Sequence, residues 1–228
     1  MNNLLLELKL LKTDIPFLLI VIIGIPLLNT MLILKNIDFH TREPLMMLFG
    51  SVHILNWMYW VFFCFGYLIL IQILWREREK YFEYNVIILQ QTTSLLWMNR
   101  MFTGWIFTFI YIFISFLFAI SGIIYSNDYF LLDFNILLEF ISILINFYLH
   151  AIIWIFLNVY ISSRIAGIIV LAIFYAGTKI SEPYLPLYFS MIKNIGNEML
   201  VLTLLSEAIV IFFLCCLILL RGKYKDYY

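Results

Sequence analysis

Six long runs of this chain are apolar almost without interruption, and that continuity limits the fold more than any other feature. They cover residues 16–34, 51–74, 102–125, 134–160, 165–180 and 199–220. A helix needs roughly 20 apolar residues to cross the hydrocarbon core of a bilayer; the run at 165–180 reaches that length only marginally. None of the runs alternates with period two, which argues for helices and against barrel strands. Hydrophobic residues make up 64% of the chain and charged ones 12%, whereas a soluble domain is about half apolar. The expectation is an all-α polytopic membrane protein, a single transmembrane domain over residues 1–228 with six spans and no soluble domain.

The sparse charges orient the spans. With a cytoplasmic N-terminus, the inner segments carry Lys9, Lys12, Arg76, Arg78, Lys80, Arg100, Arg164, Arg221, Lys223 and Lys225, and the outer ones only Lys35, Arg42, Lys179 and Lys193. That bias is the positive-inside pattern. The connection at 126–133 has no Lys or Arg and contains Asp128 and Asp133, as suits an outer loop. Both termini are therefore expected to be cytoplasmic. The first run is too long for the apolar core of a signal peptide and no small-residue cleavage site follows it, so it is expected to act as an uncleaved anchor. Cys64, Cys215 and Cys216 all fall inside apolar runs and read as unpaired thiols acting as small hydrophobes; no metal-ligand spacing accompanies them.

Between the runs, residues 2–13 place Leu4, Leu5, Leu8 and Leu11 on one face with Lys9 and Lys12 at its edge, the pattern of a helix lying in the headgroup layer. Residues 185–192 form an apolar stretch too short to span, flanked by Pro183 and Gly196, and read as a re-entrant or interfacial segment outside, before the sixth span. The densest charge is the run Trp75-Arg76-Glu77-Arg78-Glu79-Lys80-Tyr81-Phe82-Glu83, wedged between the second and third runs. It opens a polar interruption, 76–100, that reads as one or two interfacial helices with a bend around Gln91-Thr92-Thr93-Ser94. A charged run beside a span is in general a solvated loop; its position and flanking spans raise a docking surface above that reading.

This layout, and the region 76–100 in particular, resembles the ABC-2 type permease family. Arg76-Glu77-Arg78-Glu79 matches the family's charged run. Glu83 with Val86-Ile87-Ile88-Leu89 matches the acidic and leucine-rich portion, Thr93-Ser94 the turn, and Arg100 the basic residue before span three. Tyr81-Phe82 departs from the Gly-Thr pair common there, and no Pro precedes Ser94. The resemblance implies a cytoplasmic coupling helix at 76–100 that docks an ATPase. In it Arg76, Glu77, Arg78, Glu79 and Glu83 would make polar contacts, and Tyr81 and Phe82 would pack into the partner's surface. The chain has no G-x-x-x-x-G-K-[ST] loop to cradle phosphates. It is therefore expected not to be an enzyme and to hold no cofactor of its own, ATP and Mg being bound by a separate ABC ATPase subunit. A second permease copy or paralogue is the other implied partner; no nucleic-acid partner is expected.

Polar side chains inside spans are functional candidates because burying them costs free energy. Asn146, His150, Trp154 and Asn158 recur every four residues along one face of the fourth span. His53 and Asn56 lie near the outer end of the second span, beside Trp57 and Trp60. Glu207 lies in the sixth. His53, Asn56, Asn146, His150, Trp154, Asn158 and Glu207 are the candidates for a translocation path; the bland alternative is interhelical hydrogen bonding, worth roughly 1 kcal/mol per contact. No Ser/His/Asp set or HExxH motif points to a protease. Small residues at Ser163 and Gly167, and at Ala172 and Ala176, mark a close-packing face on the fifth span. The expectation is a permease subunit of an ATP-driven exporter in a bacterial plasma membrane, moving a hydrophobic or amphipathic peptide. The alternatives are a lipid or drug exporter and a non-transporting immunity or assembly factor; a secondary transporter would carry more intramembrane carboxylates.

Overall fold

The computed structural model describes residues 15–36, 56–74, 93–126, 134–177 and 200–222. All of them except Ile161 and Ser162 are helical, and no strand occurs among them. A continuously apolar segment has no other way to satisfy its backbone away from water. The first rod, α1, runs through three pieces, Ile15–Leu19, Ile20–Gly24 and Ile25–Asn36. It is followed by α2 (Asn56–Leu74), α3 (Thr93–Ser126), α4 (Phe134–Tyr160), α5 (Ser163–Gly177) and α6 (Leu200–Gly222).

Four of these helices are long and apolar enough to cross a membrane: the stretches Ile15–Leu32, Ser94–Gly122, Leu137–Tyr160 and Val201–Arg221. The apolar stretches of α2 and α5, Tyr59–Leu74 and Ser163–Ala176, are shorter. The N-terminal segment 2–13, the charged run 76–83, the remainder of the coupling region up to residue 92 and the outer segment 185–192 lie outside the described residues.

The middle piece of α1, Ile20–Gly24, is a π-helical turn. Its cause is two residues on: Pro26 has no N–H to give, and its ring would collide with the carbonyl of Ile22 in a regular helix. Widening the preceding turn removes the clash. Beyond it the rod resumes as α-helix, and Thr30 Oγ1 donates to the Pro26 carbonyl at 2.9 Å.

The centre of the bundle is aromatic. Trp60, Phe63 and Tyr67 recur at i, i+3 and i+7 along α2, so one stripe of that helix faces inward. They meet Tyr111 of α3, Phe147 of α4 and Phe174 of α5, all buried. Trp60 and Tyr67 approach Phe147 edge-on, with ring centroids at 5.4 and 4.9 Å, and Phe63 stacks on Tyr111 at 5.0 Å. These are the favoured geometries of aromatic pairs. Gly66 lets α1 in: a Cβ there would stand 2.7 Å from both Ile25 Cγ2 and Tyr111 Oη. Gly167 does the same for α2 against α5, where a Cβ would strike the amide of Gln72. So Gly167 packs inside the chain, while Ala172 and Ala176 are exposed.

Helix α4 is the hub, packed by α3, α5 and α6, with α2 on α5 and α1 on α3. A two-residue connection, Ile161-Ser162, joins α4 to α5. Ile161 N–H still donates to Leu157 at 2.9 Å, and the Ser162 carbonyl accepts from Ala166 at 3.0 Å to start the next helix. Helix α6 sits at the edge. Among the spanning stretches it is the least covered, and Ile209, Phe212 and Phe213 face outward. Helix α3 is the longest at 34 residues, about 51 Å against a hydrocarbon core of roughly 30 Å. Its first turns, Thr93 to Arg100, belong to the stretch 76–100 that reads as interfacial in the sequence; here they are one unbroken helix with the span.

Candidate functional site

The polar residues of α4 gather on the seam with α6. Residues 142, 146 and 150 are one turn apart and share a face; Ser142, Asn146 and His150 all have 0% exposure, as does Glu207 of α6. Asn146 Nδ2 donates to Glu207 Oε1 at 2.6 Å, the link that crosses the seam. Glu207 Oε2, His150 Nε2 and Ser142 Oγ have no hydrogen-bond partner among the described residues.

His150 is fixed from two sides. Its Nδ1 lies 2.8 Å from the Asn146 carbonyl oxygen, which can only accept, so Nδ1 carries the proton. Its ring lies flat on Phe174, centroids 3.7 Å apart and planes within 6°. The site thereby joins α4, α5 and α6. Trp154, next along the stripe, is buried, and Asn158 is half-buried.

A second polar group lies on the α2 side of α4. Tyr67 Oη donates to the Phe147 carbonyl at 2.9 Å and lies 2.7 Å from Thr108 Oγ1. Thr108 Oγ1 is also 2.7 Å from the Gly104 carbonyl. Two hydroxyl protons serve three short contacts, so one proton is shared. Tyr111 Oη donates to the Phe63 carbonyl at 2.8 Å, and Ser115 Oγ to the Tyr111 carbonyl at 2.6 Å. These bonds tie α2, α3 and α4 through groups that a hydropathy reading counts as apolar or neutral.

Of the path candidates, the structure brings Asn146, His150 and Glu207 together, and places Trp154 and Asn158 further along the same helix. His53 lies outside the described residues, as does the side chain of Asn56; Arg76, Glu77, Arg78, Glu79, Tyr81, Phe82 and Glu83 lie outside them too. Arg100 is buried, its guanidinium 4.9 Å above the ring of Trp97, a cation–π geometry.

Two buried polar residues are absent from the sequence candidates, one in the site and one on α1 away from it. Ser142 continues the four-residue stripe one turn further. Asn29, fully buried in α1, has neither Oδ1 nor Nδ2 hydrogen-bonded among the described residues. Both carried a signal, a polar side chain deep in an apolar run.

Among the described residues no group of three or more His, Cys, Asp or Glu side chains is placed to hold a metal ion. Cys64, Cys215 and Cys216 are free thiols, with Cys64 buried. The site offers hydrogen-bonding and acid–base groups on a seam between helices, walled by aromatic rings. No protein-family model, curated protein or solved structure matches the chain.

Proposed function

We propose that the chain is the membrane-embedded permease subunit of an ATP-driven exporter, sitting in a bacterial plasma membrane with six spans and both termini in the cytoplasm. The observation that carries the reading is the unbroken course of α3. The one dense charged run of the sequence, Arg76 to Glu83, precedes in sequence a helix that runs from Thr93 to Ser126 without a break and packs on α1, α4 and α6. A partner docked on Arg76, Glu77, Arg78, Glu79, Tyr81, Phe82 and Glu83 would act on the chain ahead of a helix that packs on both α4 and α6, the two sides of the polar seam. ATP and Mg are held by that partner, and a second permease copy or paralogue completes the complex. The cargo is a hydrophobic or amphipathic peptide, a toxin or bacteriocin or a peptide against which the cell protects itself; a lipid or drug-like molecule is the near variant. In this reading His53, Asn56, Asn146, His150, Trp154, Asn158 and Glu207 line or gate the path.

A second reading draws on a specific observation. Asn146, His150, Trp154 and Glu207 are sealed inside one copy of the bundle, which suits a non-transporting immunity or assembly factor as well as a closed transporter.

Co-purification of the tagged chain from its host in mild detergent, with mass spectrometry, separates the two. A stoichiometric ATPase that is lost on replacing Arg76 to Glu79 supports the exporter. A chain that comes out alone, or with only a bound peptide, favours the second reading. In reconstituted complexes, Glu77→Lys with Glu79→Lys is expected to uncouple ATP turnover from transport; unchanged coupling in that double variant counts against docking at the run.

A further inference from the structure

We propose that Glu207 is a proton-binding site, loaded while the α4–α6 seam is packed and emptied when water enters it. This goes beyond the exporter reading and stands on the geometry of the seam alone. The carboxyl group has no exposed surface. Oε1 accepts one bond, from Asn146 Nδ2 at 2.6 Å, and Oε2 accepts none from the described residues. A charged carboxylate taken out of water needs a counter-charge or several donors in place of its hydration, and one neutral amide is neither.

The other titratable and charged groups on these helices are hydrogen-bonded or stacked elsewhere, exposed, distant, or without positive charge. On α4, His150 spends its Nδ1 proton on the Asn146 carbonyl, and Tyr148 Oη donates to the Met101 carbonyl at 3.3 Å. Glu139 could only repel a second negative charge, and Tyr160 is exposed at the helix end. On α3, Arg100 lies over Trp97, Tyr111 donates to Phe63, and Tyr125 is exposed. On α6 itself, Cys215 and Cys216 bring no positive charge, and Arg221 is in the last turn, about 21 Å along the axis from Glu207.

A proton needs no cavity, and it completes the pair: Oε1 stays the carbonyl-type acceptor for Asn146 and Oε2 carries O–H. When the seam opens, the O–H bond breaks, its electron pair stays on the carboxylate and the proton passes to the entering water. His150 Nε2 and Ser142 Oγ lie one turn to either side of Asn146 on the same helix and are without hydrogen-bond partners among the described residues, so both have capacity to bind entering water.

The test is infrared spectroscopy of the full chain in lipid nanodiscs, with pH-dependent labelling of the seam. Near neutral pH a protonated-carboxyl C=O band is expected that moves with isotope-labelled glutamate and is lost in Glu207→Gln. It should shift to higher frequency in Asn146→Val, which removes the hydrogen bond to Oε1. With Cys64, Cys215 and Cys216 replaced, Ser142→Cys should resist a maleimide near neutral pH and react as pH rises; adding Glu207→Gln should leave it unreactive throughout. Absence of a protonated-glutamate band in the unaltered chain overturns the proposal, and that arm stands even where Glu207→Gln does not fold. Identical pH-dependent labelling with and without Glu207 overturns it as well.

Discussion

At the scale of single residues, two sites carry stakes out of proportion to their size. Asn146 donates a hydrogen bond to Glu207 across the α4–α6 seam. Replacing it with Leu leaves a buried carboxyl group without that donor. The expected loss is about 1–3 kcal/mol of stability, read as a lower midpoint of thermal unfolding in detergent, and Glu207→Gln, which keeps an acceptor for Asn146, should lose less. The second site is Gly66, where a methyl group would stand 2.7 Å from Ile25 Cγ2 and from Tyr111 Oη. Gly66→Ala is expected to cost about 1–3 kcal/mol, as overpacking does. Adding Ile25→Ala should return part of it, because Ile25 supplies two of the three closest atoms.

At the scale of elements, the π turn of α1 makes a sharper prediction than a propensity argument would. A π turn holds one residue more than a regular turn, and this one, Ile20–Gly24, sits just ahead of Pro26. Deleting the exposed Ile23 restores regular helix and keeps Ile25 and Asn29 on their original face, but it sets the Pro26 ring against the carbonyl that is then four residues back, that of Val21. The deletion alone is therefore expected to destabilise the bundle by about 3 kcal/mol, and the deletion with Pro26→Ala to recover most of that in the same thermal assay. Pro26 is plain in the sequence; the widened turn is not, because its position depends on which neighbours the rod must meet afterwards. The α4 stripe was legible for the opposite reason. Asn146, His150, Trp154 and Asn158 repeat at the period of a single helix, and no partner is needed to see that they share a face. Its pairing with Glu207 could not be read, since 61 residues separate the two and nothing in the sequence says which helices lie side by side. The first turns of α3 misled because Thr93, Ser94, Asn99 and Arg100 dilute the apolar run, although Leu96 and Trp97 between them are buried.

At the scale of the whole molecule, the apolar runs predict the helices well, and the four long ones match within a few residues at most boundaries. How the six lie across a bilayer is a proposal that labelling can check. Ser126 and Ser163 stand at opposite ends of the α4 hairpin with its neighbours. Ser126→Cys is expected to react with an impermeant maleimide in intact spheroplasts, and Ser163→Cys only after permeabilisation; the reverse result inverts the topology. The aromatic core, by contrast, was visible only as an excess of Phe and Tyr. Which rings turn inward follows from the meeting of α2, α3, α4 and α5, and lipid-facing and core-facing Phe look alike in a sequence. The edge position of α6 has a consequence for biogenesis. The last helix is also the last to be made, and until it docks the Asn146 amide lacks the Glu207 carboxyl that accepts from it. Docking of the last helix closes that contact, so a chain without its final segment is expected to leave exposed a polar group that the complete bundle buries.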